Sequence, residues 1–449
     1  MSAHARNIFA LSSGAGKCAV SVFRMSGPDA TAALSALARG PLPPPGVARL
    51  RNLRHPQTAA LIDQGIVLRF EGPNSYTGED VVELQVHGSP AVLRSLTSAL
   101  GSIPELRPAA PGEFTRRAFE NGRLDLPQLE GLADLIEAET EAQRRLALRA
   151  VHGETSDRVE GWRTELLHCL ALVEAWIDFP EDIDEETPDA VGTPALHREL
   201  TTRLEAVRRQ IHAELTGSGA SERLRDGIEV ALVGPPNVGK SRLANALAGR
   251  EIALSTPEPG TTRDVLEARL EIAGLPVTLL DTAGLRKTHG VAETLGVERA
   301  ARRARLAELR LHVSSPDIAE TSADLEALWQ DGDLRICNKS DLGGGRDDAL
   351  AVSASTGEGL RELVDRLAAR LAWIGETASP VAANERKRLR LQGCAKEISQ
   401  AESRLQPLDA PEILGECLRL AVRELDLVSG RADPEEVLDV IFARFCLGK

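Results

Sequence analysis

The spacing of hydrophobic positions along this chain changes character three times, and each change predicts a change of architecture. Residues 1 to 118 hold short strand-like runs, "AVSVFRM", "GIVLRF" and "DVVELQVHG", separated by Gly- and Pro-containing turns and one helix-like run, "AVLRSLTSAL". That pattern predicts a small α+β domain. From 119 to 217 the period becomes helical, with Leu166, Leu170, Val173 and Ile177 recurring on one face until an acidic "FPEDIDEE" near residue 180 breaks it. Between 228 and 375 strands and helices alternate, beginning "IEVALVG", the order expected of a parallel sheet flanked by helices. Beyond 378 the chain reads as helical to its end. Its last helix is announced by Asp433, Pro434 and Glu436, an N-cap, a first-turn proline and an N3 glutamate, and its apolar face is Val437, Leu438, Ile441, Phe442 and Phe445.

Two helical tracts around an α/β segment predict one discontinuous helical domain (119–217 and 378–449) that carries the α/β domain (218–377) as an insertion, behind the domain at 1–118. Two unrelated helical domains are the alternative.

Composition narrows the function classes. No stretch reaches the ~20 apolar residues of a membrane span, and "MSAHARNIFALSSGAGK" lacks the apolar core of a signal peptide. A cytoplasmic protein without membrane contact is expected. Six cysteines with no C-x-x-C pair argue against a disulfide framework and against a zinc site. A net charge of −14 and 3% aromatic residues leave little material for phosphate neutralisation or base stacking, so any RNA contact is local or delegated to a partner. The chain writes 46 of its cations as Arg and only 7 as Lys, which makes each surviving lysine a candidate for work that needs a compact charge.

The candidate chemistry lies in the α/β segment. "GPPNVGKS", Gly234 to Ser241, follows an apolar strand and precedes a helix, the context in which backbone N–H groups wrap phosphates. Asn237, Val238, Gly239, Lys240, Ser241 and Arg242 are assigned to a bound nucleotide, with Lys240 at the β/γ oxygens and Ser241 on Mg²⁺. "DTAG" (Asp281, Thr282, Ala283, Gly284) ends a strand, where its carboxylate serves the Mg²⁺ shell and the Gly284 N–H meets the γ-phosphate. "NKSD" supplies Asn338, Lys339 and Asp341, and "SAS" supplies Ser353, Ala354 and Ser355. A carboxylate accepts both N–H donors of guanine, so Asp341 selects GTP. In "GTTRD", Thr262 is placed to complete the Mg²⁺ shell when a γ-phosphate is present. Leu285 stands where Ras-like GTPases carry a water-orienting glutamine. Asn237, as a ligand for a monovalent cation, and the cruder candidates Arg263 and Arg286 are the groups available to neutralise transition-state charge. One strand, "LRLHVSSPDI", carries Arg310 and His312 inside what should be an apolar run, which predicts a weakened strand.

Taken together, "GPNSYTGED", "APGEFTRRAF", "NGRLDLPQLEG", "GPPNVGKS", "GTTRDV", "DTAGLR", "NKSD" and the closing "FCLGK" make the chain resemble the MnmE (TrmE) family of tRNA-modification GTPases from end to end. The resemblance implies an N-terminal folate-binding, dimerising domain, a split helical domain and an inserted Ras-like G domain. It implies a homodimer that assembles with MnmG, which carries FAD and uses NADH. Together the two add an aminomethyl or carboxymethylaminomethyl group to C5 of the wobble uridine of certain tRNAs, with a tetrahydrofolate as one-carbon donor. It further implies K⁺ on Asn237, Thr256, Glu258 and Thr261, G domains that meet across their nucleotides, and Glu293 orienting the attacking water. For the folate it implies Arg24, Glu83, Arg123, where the family usually has lysine, and Lys449. Cys446 is open to two readings, a group acting in the modification or a small buried residue. The competing expectation is a GTPase switch on ribosome or RNA that performs no one-carbon chemistry.

Overall fold

The computed structural model describes residues 7–14, 16–104, 106–178, 193–249, 267–281, 302–318, 323–343, 347–405 and 411–432, together with Leu438, Ile441, Phe442, Phe445 and Gly448. The acidic break near 180 and the N-cap at 433–436 lie outside the described residues. The chain divides into two compact units, Met1–Ala133 with Leu425–Lys449, and Asp134–Glu424. Among the described residues no helix is long and apolar enough to cross a membrane.

The first unit is built on six strands, β1 (Asn7–Leu11), β2 (Cys18–Ser26), β3 (Arg49–Arg54), β4 (Leu61–Phe70), β5 (Val81–Gly88) and β6 (Leu106–Pro108), in the order β3-β4-β5-β2-β1-β6. All neighbours are antiparallel except β1 and β6. Strand alternation puts Phe23, Met25, Leu53, Val67, Val82, Leu84 and Val86 in one core with α1 (Ala30–Leu37) and α2 (Pro90–Gly101). The second helix starts as its sequence asks, with Ser89 accepting from the Val92 N–H and Pro90 in the first turn. A smaller cluster of Ile8, Ala109 and Phe114 holds α3 (Glu113–Glu120). From the chain's end, Leu438, Ile441, Phe442 and Phe445 pack with Leu126, Leu129 and Ala133 of α4 (Leu126–Glu137), so these four predicted apolar positions are buried; Val437 lies outside the described residues.

The second unit contains α5 (Glu141–Val151), α6 (Glu154–Asp178), α7 (Thr193–Asp226) and a second sheet. Along α6 the buried stripe is Val159, Trp162, Leu166, Cys169 and Val173. Leu170 and Ile177 are half-buried at its margin, so the apolar face is rotated from the one that leucine and isoleucine alone suggested. Burial in the stripe pushes the Cys169 thiol up to about 12, which makes it a packing residue. The sheet comprises β7 (Ile228–Val233), β8 (Glu267–Ile272), β9 (Leu275–Asp281), β10 (Leu309–Ser314), β11 (Leu334–Cys337) and β12 (Leu350–Ala351), in the order β12-β11-β10-β7-β9-β8. It is parallel except for the β8–β9 hairpin. Helix α8 (Lys240–Ala248) follows β7, and α9 (Leu360–Thr377) buries Leu360, Leu363, Leu367, Leu371 and Ile374 at helical spacing. Two further helices, α10 (Glu385–Arg404) and α11 (Pro411–Ser429), restore the helical pattern expected beyond 378.

Strand β10 corrects one expectation. It is an interior strand, paired on both sides with β7 and β11, and Arg310 is buried at 2% exposure. Its guanidinium donates through Nε to both Asp333 carboxylate oxygens at 3.0 and 2.8 Å, and through Nη1 to the Ala304 and Ala307 carbonyls at 3.2 and 2.9 Å. It thereby caps the C-terminal end of the helical segment 302–306. Asp333 also accepts from the backbone N–H groups of Arg310 and Gln330, and His312 lies 3.3 Å away through Nε2. Burial works against its charge, but the hydrogen bonds from His312, Arg310 and the two backbone donors outweigh it and hold the carboxyl at about 2. The strand is therefore pinned by a satisfied buried ion pair.

Candidate nucleotide and ligand sites

Because β7, β9, β10, β11 and β12 run parallel, their C-terminal ends share one edge of the sheet, and the loops leaving them converge there. The loop after β7 needs its glycines. Gly239 has φ 91°, and a Cβ on it would lie 2.4 Å from Asn338 Nδ2; a Cβ on Gly234 would meet the Val313 carbonyl oxygen at 2.1 Å. Asn237 also adopts positive φ, 65°, and is exposed. Lys240, at 5% exposure, opens α8 and donates from Nζ to the Gly234 and Pro235 carbonyls at 2.7 and 2.8 Å. Ser241 Oγ hydrogen-bonds the Asp281 carboxylate, which is 1% exposed. Val238 is buried, and Arg242 is exposed on the first turn of α8.

The base-side loops are tied to the phosphate-side loop by one amide. Asn338 Nδ2 donates to the Val238 carbonyl at 2.8 Å while its Oδ1 accepts the Ala354 N–H at 3.1 Å. Lys339, at φ 60°, pairs with Asp317 at 2.6 Å. Asp341 Oδ1 accepts the hydroxyls of Ser353 and Ser355 at 2.5 and 3.3 Å. The Ser353 bond foremost holds the Asp341 carboxyl below its ordinary range, so an ionised, acceptor-only group faces the loop edge. A buried ammonium, N–H groups at a helix start and a paired hydroxyl and carboxylate form a donor set that fits a nucleoside triphosphate with Mg²⁺. The predicted residues Thr256, Glu258, Thr261, Thr262, Arg263, Thr282, Ala283, Gly284, Arg286 and Glu293 lie outside the described residues.

In the first unit the register makes Arg24 of β2 and Glu83 of β5 direct cross-strand partners on the sheet face opposite α1 and α2. Arg24 donates from Nε and Nη2 to the same oxygen, Glu83 Oε1, at 3.0 and 2.8 Å, and both side chains are 19% exposed. The guanidinium lies over the rings of Tyr76, at 5.0 Å, and Phe114, at 5.8 Å. Tyr76 in turn shares a 2.8 Å hydrogen bond with the buried Thr115, and burial, first among the causes, raises its phenol. The loop carrying Tyr76 is fastened by Ser26 to Thr77 at 2.7 Å, by Asn121 to the Thr77 carbonyl at 2.7 Å, and by Glu79 to Arg117 at 2.9 Å. Arg123 is exposed, and a Cβ on Gly78 of the loop that carries Tyr76 would lie 3.3 Å from its Cγ. Gly448 accepts the Ser12 hydroxyl at 2.9 Å, which anchors the tail beside the end of β1; Cys446 and Lys449 lie outside the described residues. A carboxylate with one oxygen unengaged among the described residues, a guanidinium and aromatic walls fit a flat donor-edged ligand such as a pterin.

The sequence reading missed Tyr76, Phe114 and Asp333. Tyr76 had a usable signal, since it is the only tyrosine in the chain and sits in "GPNSYTGED". Asp333 had none, because its role depends on burial beside a strand 23 residues earlier.

Two family descriptions match the chain, "GTP-binding protein TrmE N-terminus" over residues 7–123 and "MnmE helical domain" over 126–446. A protein of Parvibaculum lavamentivorans named tRNA modification GTPase MnmE is 49% identical over 444 residues, covering 98% of this chain and 99% of that protein. A protein of the same name from Roseobacter denitrificans is 45% identical over 447 residues, covering 98% and 99%. Among solved structures, the G domain of Thermotoga maritima FeoB is similar over 32% of this chain and 98% of that one, at 26% identity and a TM-score of 0.25.

Proposed function

The chain belongs to the MnmE (TrmE) family of tRNA modification GTPases, and from that premise we propose that it hydrolyses GTP to drive modification of tRNA. With MnmG, which supplies FAD and NADH chemistry, it adds an aminomethyl or carboxymethylaminomethyl group to C5 of the wobble uridine, taking the bridging carbon from a tetrahydrofolate one-carbon unit and the nitrogen from ammonium or from glycine respectively. The observation that supports the GTP part of this reading most is the Asn338 amide bridging the Val238 carbonyl and the Ala354 N–H, which joins the phosphate loop to the loop whose Ser353 and Ser355 hold the Asp341 carboxylate.

In this reading Lys240 meets the β/γ-phosphates, Ser241 and Thr262 hold Mg²⁺ with Asp281 behind Ser241, and Asp341 accepts the guanine N–H donors. Thr282, Ala283 and Gly284 are assigned to the γ-phosphate, and Lys339, Ser353, Ala354 and Ser355 to the base. Asn237, Thr256, Glu258 and Thr261 would hold K⁺, whose charge would favour the meeting of two G domains, and Glu293 would orient water. Glu83, Arg24, Arg123 and Lys449 bind the folate of a cytoplasmic homodimer, whose G domain (218–377) is inserted between helical segments 119–217 and 378–449. Cys446 keeps its two readings.

Reconstitution with MnmG and its FAD, NADH, tRNA, GTP, a methylene-bearing tetrahydrofolate and ammonium or glycine as nitrogen source, read by nucleoside mass spectrometry, is expected to yield the modified uridine only when all of these are present. GTP hydrolysis with no folate dependence and no modified nucleoside would return the protein to the class of RNA-associated switches. GTP turnover should also run at least tenfold faster in potassium than in sodium, because the larger ion suits a site of several oxygen ligands and substitutes for a catalytic cation worth several kcal/mol. Equal rates in the two salts would remove the cation from the mechanism.

A further inference from the structure

Helix α5 (Glu141–Val151) falls in a helical segment by sequence, yet its Leu146 is buried in one core with Leu270, Ile272 and Leu275 of the β8–β9 hairpin. We propose that α5 is a clasp on the inserted α/β domain, closed by the turn of that hairpin and loosened when a γ-phosphate draws the hairpin toward the nucleotide edge. The proposal rests on the GTP reading above and adds the route by which the nucleotide state reaches the helices.

The clasp is fastened at three places. At the hairpin, the Gly274 carbonyl accepts the Ala142 N–H at 3.0 Å. Ala142 is the second residue of α5, and Thr140 and Gln143 already form a capping box there, so the turn satisfies a first-turn donor that the box leaves over. The turn is a tight one, with Ala273 and Gly274 both at positive φ, 51° and 81°. Arg269 of β8 lies 3.7 Å from Glu139, just before the helix. Where the chain enters the α/β domain, Gln143 Nε2 donates to the Arg225 carbonyl at 3.3 Å. Where it leaves, Arg149 Nη1 donates to the Ala378 carbonyl at 3.0 Å, next to Ser379, whose N–H meets the Ser221 hydroxyl at 2.8 Å and ties the two crossings together.

The hairpin is placed to transmit a pull. Strand β8 begins shortly after Thr262, and β9 ends on Asp281, immediately before Thr282, Ala283 and Gly284, so both open ends run into segments assigned to the γ-phosphate and its Mg²⁺. The turn lies at the opposite end, on α5. Among the described residues β8 pairs only with β9, which leaves the β7–β9 ladder to hold the hairpin on the sheet. A displacement of ~1 Å toward the nucleotide, well under the ~3.3 Å rise of one residue, keeps the strand register and stretches the Gly274 bond past hydrogen-bonding distance. A cavity of about 50 Å³, lined by Gln143, Leu146 and Ala147 of α5, by Arg225 and by Pro380 and Lys387, lies between the helix and both crossings and gives α5 room to shift.

Hydrogen exchange of the full-length protein in potassium and magnesium, read by mass spectrometry, tests the clasp with GDP and the β,γ-imido analogue of GTP as probes. Amides of α5 should exchange about fivefold faster or more with the analogue than with GDP, the protection that one hydrogen bond supplies, and those of α6 should exchange equally with both. Ala142→Pro removes the donated N–H in the first turn, where proline is tolerated best, and Arg149→Met removes the grip on the exit. Each variant should show the fast exchange with either probe and keep GTP turnover within about twofold of the wild type, since neither residue touches the phosphate loop. Arg149 is exposed, so Arg149→Met carries the variant test if proline unfolds the helix.

Equal exchange of α5 with the two probes, or slower exchange with the analogue, in protein that hydrolyses GTP would overturn the clasp. A difference between the probes that survives undiminished in Arg149→Met and in a folded Ala142→Pro would overturn it as well. Wild-type protein that binds neither probe in calorimetry would overturn the GTP reading itself, which keeps the two failures apart.

Discussion

Asp341→Asn is expected to convert this protein from a guanine-nucleotide to a xanthine-nucleotide enzyme. GTP affinity should fall about a hundredfold to a thousandfold, the loss expected for two hydrogen bonds to a charged acceptor at ~1.5–2 kcal/mol each. The Asp341 carboxylate is an acceptor at both oxygens, and its Oδ1 is already held by the Ser353 and Ser355 hydroxyls at 2.5 and 3.3 Å. An asparagine can keep Oδ1 on those serines, so its amide N–H₂ takes the position of Oδ2. Guanine offers two donors there and would meet a donor, whereas xanthine offers a donor and a carbonyl acceptor and is matched. Turnover of XTP by the variant, measured beside GTP on the wild type, should recover most of the lost rate, because the phosphate-side groups Lys240 and Ser241 are untouched. If the variant still preferred GTP, Asp341 would not be the group that reads the base.

Arg310→Met should destabilise the second unit by ~3–5 kcal/mol, the range for removing one member of a buried ion pair. The cost has two sources in the structure. Asp333, whose side chain is wholly buried, loses its ion partner, and the carbonyls of Ala304 and Ala307 lose the donor that caps them. The full chain holds two units, so a single melting temperature is ambiguous. The transition to follow is the one that guanine nucleotide raises. Adding Asp333→Asn to Arg310→Met should recover part of the loss, since a neutral amide no longer strands a charge and still accepts a backbone N–H. An Arg310→Met protein whose nucleotide-sensitive transition is unmoved would show that the pair contributes nothing net.

The same pair predicts an acid limb. The folded Asp333 carboxyl titrates at about 2 against an ordinary 3.8, so its folded value is depressed. Its stabilisation is complete above pH ~4 and is lost as the pH falls toward 2, an effect of about 2 kcal/mol at ~1.4 kcal/mol per unit. The Asp333→Asn variant should start lower at neutral pH and change less across that window.

How much of this was legible beforehand depended on how local each feature is. The phosphate loop, "DTAG", "NKSD" and "SAS" are runs of three to eight consecutive residues whose chemistry is set by a strand end or a turn, and residue order along the chain already specifies them. The apolar face of the last helix was readable for the same reason, since Leu438, Ile441, Phe442 and Phe445 share a face by spacing alone and are buried. Along α6 the reading counted only aliphatic residues, and Trp162 and Cys169 shifted the buried stripe.

The sequence by itself determined the family, the two kinds of sheet and the nucleotide chemistry, because those follow from short patterns and their order. Only the tertiary structure decided that Arg24 and Glu83, 59 residues apart, share one oxygen under Tyr76 and Phe114, and that Arg310 is buried on Asp333 where it had read as a flaw in a strand. Both outcomes depend on strand register and on burial. Neither is a property of any short window of residues, because a one-residue slip sends a side chain to the opposite face, and a charge costs little in water and much in a core unless its partner is already in place.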